Sequence, residues 1–179
     1  MKTYAIVGVS GVGKSTFTKA LKERGTINVF SASNLIKLSK AESNDREVEH
    51  DKLRLGNIDD NQIHLISGYN KIRLESTGNI IIEAHAIIDT PSGLSKISSE
   101  VFSALSISHI FHLYVPADRI FEFRKHDHGR NRPRLSIADI NEHQDISLSH
   151  SSQVSHDLGV PMTVINQSHS SYFYNIVQS

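Results

Sequence analysis

Residues 8–15 read GVSGVGKS, a match without exception to the pattern G-x-x-x-x-G-K-[ST], and this one feature constrains the chain more than any other. Glycines at these positions let the backbone close into a nest whose N–H groups converge on phosphate oxygens. The helix that starts near Lys14 adds its positive dipole end. In such a loop the lysine reaches the β- and γ-phosphates, and the hydroxyl of Ser15 serves Mg²⁺. The setting fits, because an apolar run at 4–9 precedes the loop and Phe17, Ala20 and Leu21 follow it at helical spacing. The expected nucleotide-binding set is Gly8, Ser10, Gly11, Val12, Gly13, Lys14, Ser15 and Thr16, with ATP and Mg²⁺ as the implied cofactors.

A phosphate loop at the first βα turn predicts an α/β chain, and the rest of the sequence alternates accordingly. Apolar strand-like runs recur near 26–30, 79–83, 109–115 and 161–165. Helical patterns separate them, near 33–40, 59–77, 98–105, 117–126 and 136–158, with a short terminal helix last. Asp59 is the expected cap of the third helix, whose apolar face is read as Ile63, Ile66, Tyr69, Ile72 and Leu74. The Pro/Gly stretch at 89–93 reads as a loop. Five strand-helix alternations imply a five-stranded parallel sheet with helices on both faces. At 179 residues the chain is expected to form one domain over 1–179.

Composition narrows the function. Lys+Arg 19 against Asp+Glu 19 leaves no net charge, so a broad electrostatic footprint for nucleic acid or a membrane surface is not expected. The absence of Cys excludes thiolate catalysis and Cys-ligated metals. No leader-like segment and no apolar stretch of about 20 residues stands out, which gives the expectation of a cytoplasmic protein. Neither an N-K-x-D nor a D-x-x-G motif occurs, so a GTPase reading finds no support.

Two further constellations bear on phosphoryl transfer. Glu83 ends the buried run IIIE at 80–83, where a carboxylate next to the first strand would hold Mg²⁺ together with Ser15. Arg124, Arg130, Arg132 and Arg134 then cluster in and before an irregular Gly/Pro segment. Planar guanidinium donors on a closing loop opposite a phosphate loop clamp the moving charge, so a lid near 125–135 is expected. His85, beside Glu83, is a candidate substrate contact. His143 and His150 share a helix face, but no spacing of carboxylates completes a zinc set around them. Phe102, Phe111, Phe121 and Phe123 read as packing residues and not as a base-stacking platform.

These stretches together resemble the P-loop nucleoside monophosphate kinases, and specifically the archaeal-type adenylate kinases. The resemblance is carried by residues 8–16, by IIIEAH at 80–85 with TPSG at 90–93, by 124–132, and by DINEHQ at 139–144. It implies that Lys14 and Ser15 handle ATP and Mg²⁺, that Glu83 is the carboxylate on the metal side, and that Arg124, Arg130 and Arg132 are lid arginines. It further implies an acceptor-binding excursion over 31–75, with Ser33, Lys37 and Arg54 facing a nucleoside monophosphate, AMP first. Lys37 stands where such kinases place an arginine, and Leu148 where a further one is expected. The alternatives are a kinase for another small metabolite, or a slow ATPase used as a nucleotide-dependent switch.

Overall fold

Five parallel strands, ordered β2-β3-β1-β6-β7, form the centre of the structure, a computed structural model that describes residues 1–24, 27–42, 53, 57–127 and 133–178. β1 (Thr3–Val7) lies in the middle of the sheet and is buried at every position. It pairs with β3 (Ile80–Glu83) on one side and β6 (Ile107–Leu113) on the other, while β2 (Asn28–Ser31) and β7 (Met162–Ile165) close the edges. The continuous apolar runs of β1 and β3 are what a parallel strand covered on both faces requires. The five strands and their parallel sense agree with the sequence expectation.

The pleat of each strand sorts its residues between two cores. Ala5, Val7, Ile80, Ile82 and Ile110 point to one face, where they meet Leu35 of α2 (Ala32–Glu42), Leu65 and Tyr69 of α3 (Ile58–Glu75), Phe102 of α4 (Ser99–Ala104) and Val154 of α6 (Ile137–Leu158). Tyr4, Ile6, Ile81, Phe111 and Leu113 point to the other. There they meet Leu21 of α1 (Lys14–Arg24), Ile120 of α5 (Ala117–His126) and Phe173 of α7 (Ser170–Gln178). The result is three layers, helices on sheet on helices. Phe102 and Phe111 are buried, and Phe121 and Phe123 pack half-buried against the second core.

Local chemistry fixes the ends of these helices. Ser31 caps α2, its hydroxyl accepting the Asn34 N–H at 3.2 Å. α3 begins two residues earlier than Asp59 suggests, because Asn57 is its cap and accepts the Asp60 N–H at 3.2 Å. Asp59 instead joins Asp60 in the first turn, where acidic charge meets the positive dipole end. Ser136 and Asp139 form a reciprocal capping box on α6, which Gly159 ends in the left-handed conformation.

Two elements differ from the sequence reading. The buried face of α3 is Asn61, Leu65, Gly68, Tyr69 and Ile72, whereas Ile63 and Leu74 are exposed. The crossing with α2 sets this face, since a Cβ on Gly68 would lie 2.3 Å from the Leu35 carbonyl oxygen, so the helices touch backbone to backbone there. The Pro/Gly stretch read as a loop is the turn of an antiparallel hairpin, β4 (Ile87–Thr90) with β5 (Gly93–Lys96). Each strand is only four residues long, so no alternation was long enough to outweigh the turn signals.

Candidate functional site

β1 delivers the chain into the phosphate loop, and α1 carries it away from its far end. Gly8 takes φ +147° and passes so close to β6 that a Cβ would meet the Leu113 carbonyl oxygen at 2.7 Å. Gly11 takes φ +83°, and a Cβ there would strike the Arg124 side chain at 2.9 Å. Both conformations and both clearances exclude side chains; Gly8 is the first glycine of the pattern, and Gly11 stands at one of its open positions. The Lys14 ammonium is buried among the loop's own oxygens, donating to the Gly8 carbonyl at 2.8 Å and the Val9 carbonyl at 3.2 Å.

Ser15 and Glu83 lie far apart in sequence and are brought into contact by the pairing of β1 with β3. The Ser15 hydroxyl donates to Glu83 Oε2 at 2.6 Å. Thr18 Oγ1 and Lys22 Nζ both donate to the other carboxylate oxygen, the lysine at 2.9 Å. Burial pushes the Glu83 carboxyl up, but the hydrogen bonds from Ser15, Thr18 and Lys22 and the lysine's charge outweigh it and hold the group below its ordinary value. Glu83 is therefore a charged carboxylate at neutral pH. Thr18 and Lys22 were not legible as parts of this site from sequence, although both follow Ser15 at the i+3 and i+7 positions that share a helix face.

The other expected residues divide into three groups. Arg124, on α5, lies over the phosphate loop and donates through Nε and Nη2 to the Ser10 carbonyl at 3.0 and 2.6 Å. His85 Nδ1 sits 2.9 Å from the Gly8 carbonyl and 3.3 Å from the Lys14 ammonium. A cavity of ≈ 180 Å³ opens beside the loop, and Ser33, His85 and Arg124 line it together with Asn61, Asp89 and His143. Lys37 is not among its lining residues. Arg54, Arg130 and Arg132, with the middle of the expected lid at 128–132, lie outside the described residues. Among the described residues no group of three or more His, Asp or Glu side chains is placed to hold a metal.

Sequence reasoning missed His112, which lies directly behind the phosphate loop on β6. The ring is fully buried, its Nδ1 3.1 Å from the Ser151 hydroxyl, which itself donates to the Ser147 carbonyl at 2.7 Å. His112 therefore donates from Nδ1, and its bare Nε2 has no hydrogen-bond partner among the described residues. Burial, with the Lys14 charge adding to it, lowers its pKa to about 4. A histidine in an unfolded chain takes its proton near 6.5. Between those values the unfolded state binds more protons, so stability is fully present above pH 6.5 and falls as the pH drops toward 4. For a buried ring with this shift the change in stability across that interval totals roughly 3 kcal/mol. Half-buried His109 is lowered by burial as well and adds in the same direction. Urea midpoints at pH 7, 6 and 5 should fall steadily in the native protein and much less in His112→Asn; equal slopes would show that this ring does not titrate as its burial requires.

A glycine-rich loop of the pattern G-x-x-x-x-G-K-[ST] at the C-terminal edge of a parallel five-stranded sheet, backed by a carboxylate on the neighbouring strand, defines a chain of the P-loop kinase fold. A family model described as an AAA domain matches residues 7–141, and the chain belongs to that family. Solved structures repeat the architecture at low identity. Shikimate kinase from Acinetobacter baumannii, in complex with shikimate, matches at 12% identity over 99% of this chain and 93% of its own, with a TM-score of 0.58. A sugar kinase from Janibacter sp. matches at 16% identity over 94% and 86%, TM-score 0.54. The tunicamycin resistance protein of Deinococcus radiodurans matches at 14% identity over 89% and 96%, TM-score 0.53. No curated protein matches the chain. No helix among the described residues is long and apolar enough to cross a membrane.

Proposed function

We propose that the chain is an ATP-dependent kinase that transfers the γ-phosphoryl group to a small acceptor seated in the cavity beside the phosphate loop. The observation that carries this reading is the contact of Ser15 with Glu83 at the start of α1, with a cavity immediately beside the same loop. The loop's N–H groups and Lys14 would bind the β- and γ-phosphates, and Arg124, anchored over Ser10, would neutralise charge on the transferring group. Ser15 Oγ and Glu83 Oε2 are adjacent hard oxygen donors, a pair suited to Mg²⁺. Bound there, Mg²⁺ would supply charge neutralisation to the phosphate oxygens.

The acceptor oxygen bonds to the γ-phosphorus as the bond to the β,γ-bridging oxygen breaks, and ADP leaves with the electron pair. Nothing covalent forms on the protein, and positioning with charge stabilisation does the catalysis. In this reading residues 1–179 act as one domain, 31–75 hold the acceptor, and 125–135 with Arg130 and Arg132 close over it. AMP is the acceptor that the resemblance to adenylate kinases implies, with Ser33, Lys37, Arg54 and His85 on its side of the site. A second reading, a hydroxylated metabolite, is favoured by the mostly apolar wall of the cavity, to which Ile36, Leu65 and Phe102 contribute. ADP formation from ATP and Mg²⁺ should be slow alone and rise strongly with the right member of a panel of nucleoside monophosphates and hydroxylated metabolites. Slow hydrolysis that no acceptor accelerates would replace the kinase with a nucleotide-dependent switch.

A further inference from the structure

Three donors converge on Glu83, and its two oxygens divide them unequally. Ser15, Thr18 and Lys22 stand at i, i+3 and i+7 on one face of α1, and that face meets the end of β3. Oε1 accepts from both the Thr18 hydroxyl and the Lys22 ammonium, the lysine at 2.9 Å, while Oε2 accepts from the Ser15 hydroxyl at 2.6 Å. A carboxylate offers about four lone-pair positions, two on each oxygen. Both positions on Oε1 are therefore filled, and the one left open lies on Oε2, the oxygen beside Ser15. The two donors on Oε1 differ in setting, since Thr18 is fully buried and the Lys22 side chain is 40% exposed.

Divalent cations respond differently to such a carboxylate. Ca²⁺ takes about six to eight oxygens in flexible geometry and accepts a carboxylate through both of its oxygens. Mg²⁺ demands near-ideal octahedral geometry and keeps several of its waters, and the short span between the two oxygens of one carboxylate fits an octahedron poorly. We propose that Lys22 is a positioning residue for the metal: by occupying Oε1 together with Thr18, it limits Glu83 to one oxygen toward a cation and so selects Mg²⁺ over Ca²⁺ at the Ser15–Glu83 site. This rests on the kinase reading above and adds the residue that sets its metal preference. The lysine acts through Glu83. Its charge opposes Mg²⁺ and Ca²⁺ alike, so removing it raises the affinity for both, and the ratio of the two affinities moves only when the second oxygen is freed.

A non-hydrolysable ATP analogue is titrated calorimetrically into the protein in saturating Mg²⁺ or in saturating Ca²⁺, for the native chain, Lys22→Met and Lys22→Arg. Methionine keeps an apolar stem and drops the ammonium, whereas arginine returns a charged donor to Oε1. At a side chain 40% exposed either exchange leaves the core intact. The native protein should bind the Mg²⁺ complex at least about tenfold more tightly than the Ca²⁺ complex. Lys22→Met should shrink that ratio at least about threefold, mainly by tightening the Ca²⁺ complex, and Lys22→Arg should keep the native ratio. A native ratio near one, a ratio that Lys22→Met leaves unmoved, or an equal loss in Lys22→Arg overturns the proposal. Binding of the analogue separates the two levels. An analogue that binds in neither metal removes the kinase reading and this inference with it, while one that binds with an unmoved ratio removes only the inference.

Discussion

Lys14→Ala should lower acceptor-dependent turnover by at least about two orders of magnitude, the loss of roughly 3 kcal/mol of charge stabilisation that a preorganised cation supplies to a transferring phosphoryl group. From the motif alone Lys14 reads as an exposed side chain whose removal leaves the fold untouched. The structure corrects that, because Lys14 is buried and its ammonium holds the Gly8 and Val9 carbonyls together. Truncation should therefore also cost about 1–2 kcal/mol of stability, as lost hydrogen bonds from a charged donor do. The two effects are separable: a melting curve reports the second, and kcat at saturating ATP on protein still folded reports the first. Near-normal turnover in folded Lys14→Ala protein would remove the phosphate loop from the mechanism.

The second large effect is expected at Glu83. Three donors converge on its two oxygens, from Ser15, Thr18 and Lys22, in a position that is 5% exposed. In Glu83→Gln one oxygen becomes an NH₂ that faces a donor, the Lys22 ammonium loses its counter-charge, and the site loses the anion suited to Mg²⁺. Activity should fall about a hundredfold with a raised Mg²⁺ requirement, and stability should fall by about 2–3 kcal/mol. Because the native carboxyl is held below its ordinary value, the stability it contributes is present above about pH 4.5 and is lost as the pH falls through the lower folded value. Magnesium titrations of kcat beside thermal melts decide its role. Lost stability with unchanged magnesium dependence would make Glu83 a structural cap of the loop and nothing more.

Much of the fold was legible because its signals are local. The loop motif, the apolar run before it and the buried run ending at Glu83 each declare themselves within a few residues, and parallel pairing followed from their alternation with helices. What depends on tertiary approach was not. The inward face of α3 is set by Gly68 meeting the backbone of α2, which no periodicity within α3 encodes. The β4–β5 hairpin was hidden by strands of four residues around Pro91 and Gly93. For the same reason Asn61, Asp89 and His143 escaped notice as a group: they come from α3, β4 and α6 and meet only at the cavity wall. His112 left one faint trace, since Gln144, Ser147 and Ser151 make a polar stripe on an otherwise buried face of α6. A stripe of that kind on a helix facing a sheet calls for a polar partner on the strand beneath it.

The fate of the γ-phosphoryl group tests the central claim most directly. With ATP labelled at the γ-phosphate, Mg²⁺ and the acceptor panel, the account predicts that label leaves ATP slowly in the absence of acceptor and, with the right one, appears as a phosphate ester of that acceptor in step with ADP. Lys14→Ala protein should show neither. Release of the label as inorganic phosphate alone, at a rate no acceptor changes, would contradict it.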